Sequence, residues 1–181
     1  MNDPDSIRTF LLMLVLVAFS AYFSATETAF SSLNRIRIKS LADSGNRRAK
    51  LVQRLSEEYD RLLSTILVGN NIVNILLASI STIYFVGLYG EGRGTTISTV
   101  VSTVVVLIFG EISPKSVAKD HAEGFAMTSA PIIRVISYLL YPVNWLFSQW
   151  KRLLGRIFKS AGDTAVTEEE LLTIVDEAEQ G

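Results

Sequence analysis

Three long apolar runs dominate the pattern of hydrophobic and polar positions along the chain. The first occupies residues 10–33 and would extend about 36 Å as a helix. The second occupies residues 62–88 and contains no charged residue. Because the hydrocarbon core of a bilayer is about 30 Å thick, both runs predict membrane-spanning helices. A signal peptide is the alternative for the first run, but Asp3 and Asp5 precede it and no small-residue cleavage site follows it.

A third uncharged run, residues 95–109, reaches only about 22 Å as a helix. It crosses the membrane only if it continues through Gly110 and Glu111, so Glu111 should lie within the protein or at its inner boundary, and Pro114 is the expected stop. Its β-branched residues would favour a strand in water, but an isolated strand in lipid leaves its backbone unpaired. The pattern therefore predicts an all-α membrane protein with three transmembrane helices, the third of them broken.

The composition agrees with this fold class and excludes several others. The 181 residues are 49% hydrophobic and 19% charged, against about 25% charged in an ordinary soluble domain. The net charge of −1 provides no basic excess, so no nucleic-acid partner is expected. The absence of cysteine and the single histidine exclude disulfides and multi-histidine metal sites. Motifs such as H-E-x-x-H and G-x-S-x-G are absent, so we do not expect an enzyme.

The basic residues predict the orientation in the cell membrane. Eight lysines and arginines lie in the segment 35–61, whereas the short loop 89–94 contains only Arg93. By the positive-inside rule, the segment 35–61 is cytoplasmic and the loop is outside. The N-terminus is then outside and the C-terminus cytoplasmic.

A fourth apolar stretch, residues 125–147, contains Pro131, Arg134 and Pro142 and has basic residues on both flanks. A spanning helix would place one basic flank outside, so we predict an interfacial or re-entrant segment. A fourth span with an external C-terminus is the alternative.

Two segments outside these runs are amphipathic. Residues 34–44 and 47–55, separated by Gly45-Asn46, predict two short helices on the inner leaflet, in contact with membrane lipid. Thr167 and Glu170 fit a capping box that begins an acidic amphipathic helix. We therefore expect a transmembrane domain with juxtamembrane helices over residues 1–159, and a linker helix over 160–181 that leads towards a cytosolic domain of a longer protein.

Polar residues within the apolar runs are the candidates for chemistry. The first run carries four of them on one helix face within about 60°, and Asn70 and Asn74 share a face of the second helix. The four are Ser20, Ser24, Glu27 and Ser31. Hydroxyls, amide oxygens, a carboxylate and the carbonyls of a broken helix are hard donors that suit Mg²⁺ or Ca²⁺. The alternatives are helix packing for the serines and asparagines, and a structural ion pair with a residue such as Arg35 for Glu27.

Three further segments stand out as motifs: SATETAF at residues 24–30, LVGNNIVN at 67–74 and FGEISPK at 109–115. They resemble the signatures of the CorB/CorC and cyclin M (CNNM) magnesium transporters. VTEEEL at 166–171 resembles the linker to that family's cytosolic CBS pair. The resemblance implies a homodimer of three-helix protomers with a belt of juxtamembrane helices. It also implies export of Mg²⁺ coupled to Na⁺ entry, and ATP binding only through a CBS pair, which this chain lacks.

The resemblance assigns the ion to side chains of the first two helices and to the Gly–Glu break of the third. On this chain the first choices are Ser24, Ser31, Asn70, the carbonyl of Gly110, and Glu111, while Ser20 and Asn74 are added from their helix faces alone. We therefore expect a secondary Mg²⁺ exporter with alternating access. The alternatives are a non-transporting membrane anchor or Mg²⁺ sensor and, less favoured by the motifs, an intramembrane enzyme.

Overall fold

The computed structural model describes residues 4–158, and every described segment longer than a turn is helical. The linker helix expected after Ser160 lies outside the described residues. The helices are α1 (Pro4–Ser32), α2 (Arg35–Asp43), α3 (Arg47–Glu57), α4 (Tyr59–Tyr89), α5 (Glu91–Val105), a π-helical segment (Val106–Ile112), α6 (Ser113–Asp120), α7 (Ala122–Leu139) and α8 (Tyr141–Phe158). The chain divides into two compact units, residues 1–144 and 145–181.

Three stretches are long and apolar enough to cross a membrane, as predicted: Ser6–Ser32, Tyr59–Tyr89 and Glu91–Asp120. Most large apolar side chains on their outer faces are exposed, for example Leu14, Ile75 and Val100, as expected of helices surrounded by lipid. The prediction of an all-α membrane protein is thus confirmed.

The third span differs in detail from the prediction. Its backbone hydrogen bonds are not interrupted at Gly110-Glu111. They change there to π-helical pairing, in which each N–H bonds to the carbonyl five residues earlier. Pro114 does not end the helix. Proline is tolerated in the first turn of α6 because the π-helical segment before it pairs its backbone groups differently from an α-helix. The span therefore continues to Asp120 and gains the length that the apolar run lacked.

The two short amphipathic helices form where the sequence predicts them. Asn34 and Asn46 act as N-caps, with side chains that accept hydrogen bonds from Arg37 N and Ala49 N at 3.1 Å. Gly45 ends α2 with a φ of +97°, which favours glycine. The fourth apolar stretch is not one helix, because α7 ends at Leu139 and α8 begins at Tyr141.

The first unit is held together around α1, which packs against α4, α6 and α7. Its buried core contains Phe23 and Phe30 from α1, Ile66 from α4 and Ile133 from α7. Val52 of α3 is also buried there, so the juxtamembrane helices are part of the packed unit. Burial of this apolar surface between helices fixes the positions of the polar residues that lie among them.

The helices α4 and α5 form a hairpin joined by Gly90 alone, whose φ is +81°. A Cβ at Gly94 would lie 2.5 Å from the carbonyl oxygen of Phe85, so glycine permits the close approach. Ser98 donates a hydrogen bond to Ser81 at 2.9 Å, and both are buried. The hydroxyls of α5 therefore include a packing contact, as the sequence suggested for this surface.

Candidate functional site: a buried oxygen cluster between the three spans

The three spans meet at Ser20, Asn70 and Gly110. The Ser20 hydroxyl is fully buried and donates a hydrogen bond to the side-chain oxygen of Asn70 at 3.2 Å. Gly110 is also buried, and a Cβ placed on it would lie 2.8 Å from Ser20 Oγ. The absence of a side chain at Gly110 thus lets the third span approach Ser20 closely.

A second glycine brings α1 and α4 together beside this point. A Cβ at Gly69 would lie 2.5 Å from the Phe23 ring, so any larger residue would force the ring to move. Because Gly69 precedes Asn70 directly, the same close approach brings Asn70 within reach of Ser20.

Two further buried oxygens flank the Ser20–Asn70 pair. Ser24 Oγ and Asn74 Oδ1 are buried and have no hydrogen-bond partner within residues 4–158. Ser24 lies one turn beyond Ser20 and Asn74 one turn beyond Asn70, and α1 and α4 run antiparallel, so the two atoms lie on opposite sides of the pair. Buried polar atoms normally have hydrogen-bond partners, so each of these two oxygens is a candidate to contact a ligand. Ser20, Ser24, Asn70, Asn74 and Gly110 together are called the oxygen cluster.

Glu111 follows Gly110 in the π-helical segment and is partly buried. It forms no ion pair with any residue that the structure describes. Three residues on, Pro114 has no N–H, so the Gly110 carbonyl lacks the donor that an α-helix would supply from the fourth residue after it. Segments of π-helix commonly mark functional positions in otherwise α-helical proteins.

Glu27 and Lys115 form an ion pair between α1 and α6. Lys115 Nζ lies 3.2 Å from Glu27 Oε2, and the two side chains are 43% and 29% exposed. The sequence allowed a structural pair for Glu27, but with Arg35 as the example, and the actual partner comes from the third span. Glu27 lies one turn after Ser24 and Lys115 one turn after Glu111, so the pair is next to the oxygen cluster.

Ser31 is the one predicted site residue that lies more than one helical turn from the Ser20–Asn70–Gly110 contact. It is exposed on the last turn of α1, and its hydroxyl donates to the carbonyl of Thr28 at 3.0 Å on the same helix. The structure thus joins Ser20, Asn70 and Gly110 by contact, places Ser24, Asn74 and Glu111 within one turn of them, and leaves Ser31 at the helix end.

Two polar contacts of the first unit are absent from the sequence-based prediction. The Asn144 side chain donates to Thr65 Oγ1 at 2.9 Å in a buried contact, and the Tyr22 hydroxyl donates to the Ser129 carbonyl at 3.1 Å. Both tie the segment after α6 to the spans. Asn144 was visible as a polar residue in an apolar stretch, but no periodicity could identify its partner 79 positions earlier.

The donor atoms of the oxygen cluster are all oxygens. Within residues 4–158, no three His, Cys, Asp or Glu side chains are grouped to hold a metal ion. The donors at the cluster are neutral hydroxyl and amide oxygens with Glu111 as the nearby carboxylate, a set that favours Mg²⁺ over softer metals.

These features define a multi-pass helical membrane domain with a buried, oxygen-rich meeting point of its spans. Residues 11–181 match the family model described as the cyclin M transmembrane N-terminal domain, and the chain belongs to this family.

Relatives of this chain are found in several bacteria. It is 42% identical to the UPF0053 inner membrane protein YfjD of Escherichia coli K12, over 88% of this chain and 38% of the relative. It is 39% identical to a UPF0053 protein of Haemophilus influenzae, over 93% and 41% of the two chains. A polyamine export protein of the same organism is 25% identical over 95% of this chain and 43% of that protein.

This chain spans about two fifths of the length of these bacterial relatives. The family model and the relatives indicate a membrane domain.

Proposed function

We propose that this chain is the membrane domain of a secondary transporter that exports Mg²⁺, driven by Na⁺ entry. The observation that carries the proposal is the buried contact of Ser20, Asn70 and Gly110, with two unpartnered oxygens beside it. Such a cluster in the middle of three spans has no need of unpartnered oxygens if its role is packing alone, because an apolar contact would serve equally well.

The chemistry of Mg²⁺ explains why several oxygens are needed together. The ion gives up its water ligands reluctantly and requires near-octahedral oxygen ligation to compensate. Ser20 and Asn70 would replace water oxygens together with either Ser24 or Asn74, which lie on opposite sides of that pair, and the Gly110 carbonyl would add a backbone ligand. Glu111 would supply the negative charge that offsets part of the ion's charge.

Alternating access would use the π-helical segment as the moving part. A π-helical segment next to a proline changes its backbone hydrogen bonds at a lower free-energy cost than a regular α-helix. Residues 106–112 are therefore suited to change conformation around the ion. We propose further that the N-terminus lies outside and the C-terminus in the cytoplasm, that two copies form a homodimer in membrane lipid, and that this chain acts in transport rather than catalysis. Na⁺ coupling rests on the resemblance to the CorB/CorC and cyclin M transporters.

The test is Mg²⁺ flux in proteoliposomes with imposed Na⁺ gradients. We expect Mg²⁺ movement that follows the Na⁺ gradient in the wild type and no movement in Glu111→Gln, which keeps the size of the side chain but removes its charge. Glu91→Gln, at the exposed start of α5, makes the same charge change away from the cluster and should transport normally. Equal flux in both variants would contradict the proposal.

A membrane anchor or Mg²⁺ sensor is the second candidate, because the relatives are more than twice as long as this chain and have room for a cytosolic domain. It predicts Mg²⁺ binding that depends on Glu111 with no flux under any gradient. A third outcome is flux of polyamine in preference to Mg²⁺. That result would identify organic cations as the substrate, and one relative is named as a polyamine export protein.

A further inference from the structure

A second polar site lies away from the oxygen cluster, where α3, the start of α4 and α7 meet. A pocket of about 150 Å³ opens there, with Leu51, Leu55 and Leu62 among its walls. The Ser137 side chain also lines it and is only 7% exposed. The pocket is therefore a concave site within the packed first unit rather than a flat patch of surface.

The charge of this pocket is positive and only partly balanced. Arg54, Arg61 and Arg134 line it, and Glu58 is the one acidic side chain among its lining residues. Glu58 pairs with Arg61 at 3.1 Å, whereas Arg54 and Arg134 form no ion pair with any residue that the structure describes. The lining thus carries a net charge of about +2, which an anion would offset.

Aromatic rings hold two of these guanidinium groups in place. Arg61 lies 5.6 Å from the centre of the Tyr141 ring and Arg134 lies 5.9 Å from that of Tyr138. A guanidinium stacked on a ring loses less conformational freedom when it forms hydrogen bonds, and its planar fork matches the oxygens of a phosphate. The arrangement is therefore suited to phosphate rather than to a small halide ion.

The position of the pocket indicates where the phosphate comes from. Arg61 is the last charged residue before the uncharged stretch 62–88 of α4, which places the pocket at the boundary of the hydrocarbon core. Beside it, α7 exposes Val135 and Leu139, at 67% and 78%, which gives acyl chains an apolar surface to follow. A molecule with a phosphate group and apolar tails satisfies both surfaces at once.

We propose that this pocket binds the phosphate headgroup of an anionic phospholipid, with the acyl chains along α7. Bound lipid would join α3, α4 and α7, and so connect the juxtamembrane helices to a membrane span. The site does not depend on what the oxygen cluster binds, so it stands or falls independently of Mg²⁺ transport.

The experiment compares lipid retention by native mass spectrometry on the full chain in detergent, titrated with phosphatidylglycerol, phosphatidylcholine or inorganic phosphate. The double variant Arg54→Gln/Arg134→Gln removes the two unpaired arginines. Its matched control, Arg47→Gln/Arg48→Gln, removes the same charge from exposed positions of α3 that do not line the pocket. Work at about 0.5 M ammonium acetate, a volatile salt that native mass spectrometry tolerates, screens the general attraction between basic surfaces and anionic lipid.

We expect the wild type to retain phosphatidylglycerol in preference to phosphatidylcholine. The pocket variant should bind it about a hundredfold more weakly, since two charge-assisted hydrogen-bonding groups are lost, and the control should stay near the wild type. The single variant Arg134→Gln, on an exposed side chain, should lose about tenfold and shows the effect with less disturbance. Equal losses in the pocket and control variants would overturn the site, and inorganic phosphate that competes as well as the lipid would overturn the role of the acyl chains.

Discussion

Lys115 of the third span lies 3.2 Å from Glu27 of α1, one helical turn away from the residues proposed to hold the ion. Lys115 thus neutralises the Glu27 carboxylate next to the oxygen cluster. Among the described residues near the cluster, Glu111 is then the acidic side chain without an ion pair. An ion that enters from this end would meet a positive and a negative side chain together, so the pair influences both entry and local charge.

Removal of the Lys115 charge should strengthen Mg²⁺ binding. In Lys115→Gln, Glu27 becomes an unpaired negative charge near the cluster, and we expect Mg²⁺ to raise the unfolding temperature at lower concentration than in the wild type. Because both side chains are substantially exposed, the change in stability without Mg²⁺ should be small, within about 1 kcal/mol. Lys119→Gln, on the exposed side of the same helix, is the control, and an identical response in both variants would show a general charge effect.

A methyl group at Gly110 should destabilise the meeting point of the spans. Alanine normally favours a helix over glycine by about 1 kcal/mol, but here its Cβ would lie 2.8 Å from Ser20 Oγ. We expect Gly110→Ala to lower the free energy of unfolding by about 1–3 kcal/mol, measured by thermal unfolding in detergent. Gly124→Ala on α7 meets no atom within 4 Å and should be neutral or stabilising, so equal destabilisation of both would contradict the packing described here.

Two serine substitutions distinguish a ligand from a packing residue. Ser24 Oγ has no partner within the described chain, so Ser24→Ala should cost little stability without Mg²⁺ and should reduce the stabilisation that Mg²⁺ provides. Ser98 is hydrogen-bonded to Ser81, so Ser98→Ala should cost about 0.5–1.5 kcal/mol and leave the Mg²⁺ effect unchanged. Thermal unfolding with and without Mg²⁺ measures both quantities, and the reverse pattern would assign Ser24 to packing.

The orientation of the chain can be tested with single cysteines, because the sequence has none of its own. A cysteine at Glu91, the exposed first residue of α5, should react with an impermeant maleimide added to intact cells. One at Arg48 of α3 should react only after the membrane is opened. Labelling of the Arg48 position from outside would invert the proposed topology.

Local sequence signals were sufficient for the helices but not for the contacts between them. Gly45-Asn46 predicted where α2 ends and α3 begins, because such a boundary depends on neighbouring residues alone. The cap at Asn34 was not predicted, since that residue was placed inside the first amphipathic segment. Pro114 gave the wrong stop, since whether a proline ends a helix depends on the backbone pairing before it, here a π-helical ladder that no simple sequence pattern announces.

The candidate site shows the same limit. Helix periodicity identified the polar faces of α1 and α4 and therefore Ser20, Ser24, Asn70 and Asn74. It could not separate Ser31, which belongs to the same face but lies at the exposed end of α1. The sequence pattern also could not identify Lys115 as the partner of Glu27, because the contact between α6 and α1 depends on packing among segments far apart in sequence.

The single-residue connection at Gly90 also bears on how the chain enters the bilayer during synthesis. Because consecutive Cα atoms are only about 3.8 Å apart, α4 and α5 cannot separate at that end, and we expect them to insert as a helical hairpin. The first turn of α5 carries Glu91 and Arg93, whose opposite charges leave this end of the hairpin with no net charge to translocate. The Ser81–Ser98 hydrogen bond is internal to the hairpin, so these hydroxyls are satisfied before α1 packs alongside. Membrane insertion of this hairpin would thus bring in Asn70, Asn74 and Gly110 together, and the packing of α1 against it would add Ser20 and Ser24.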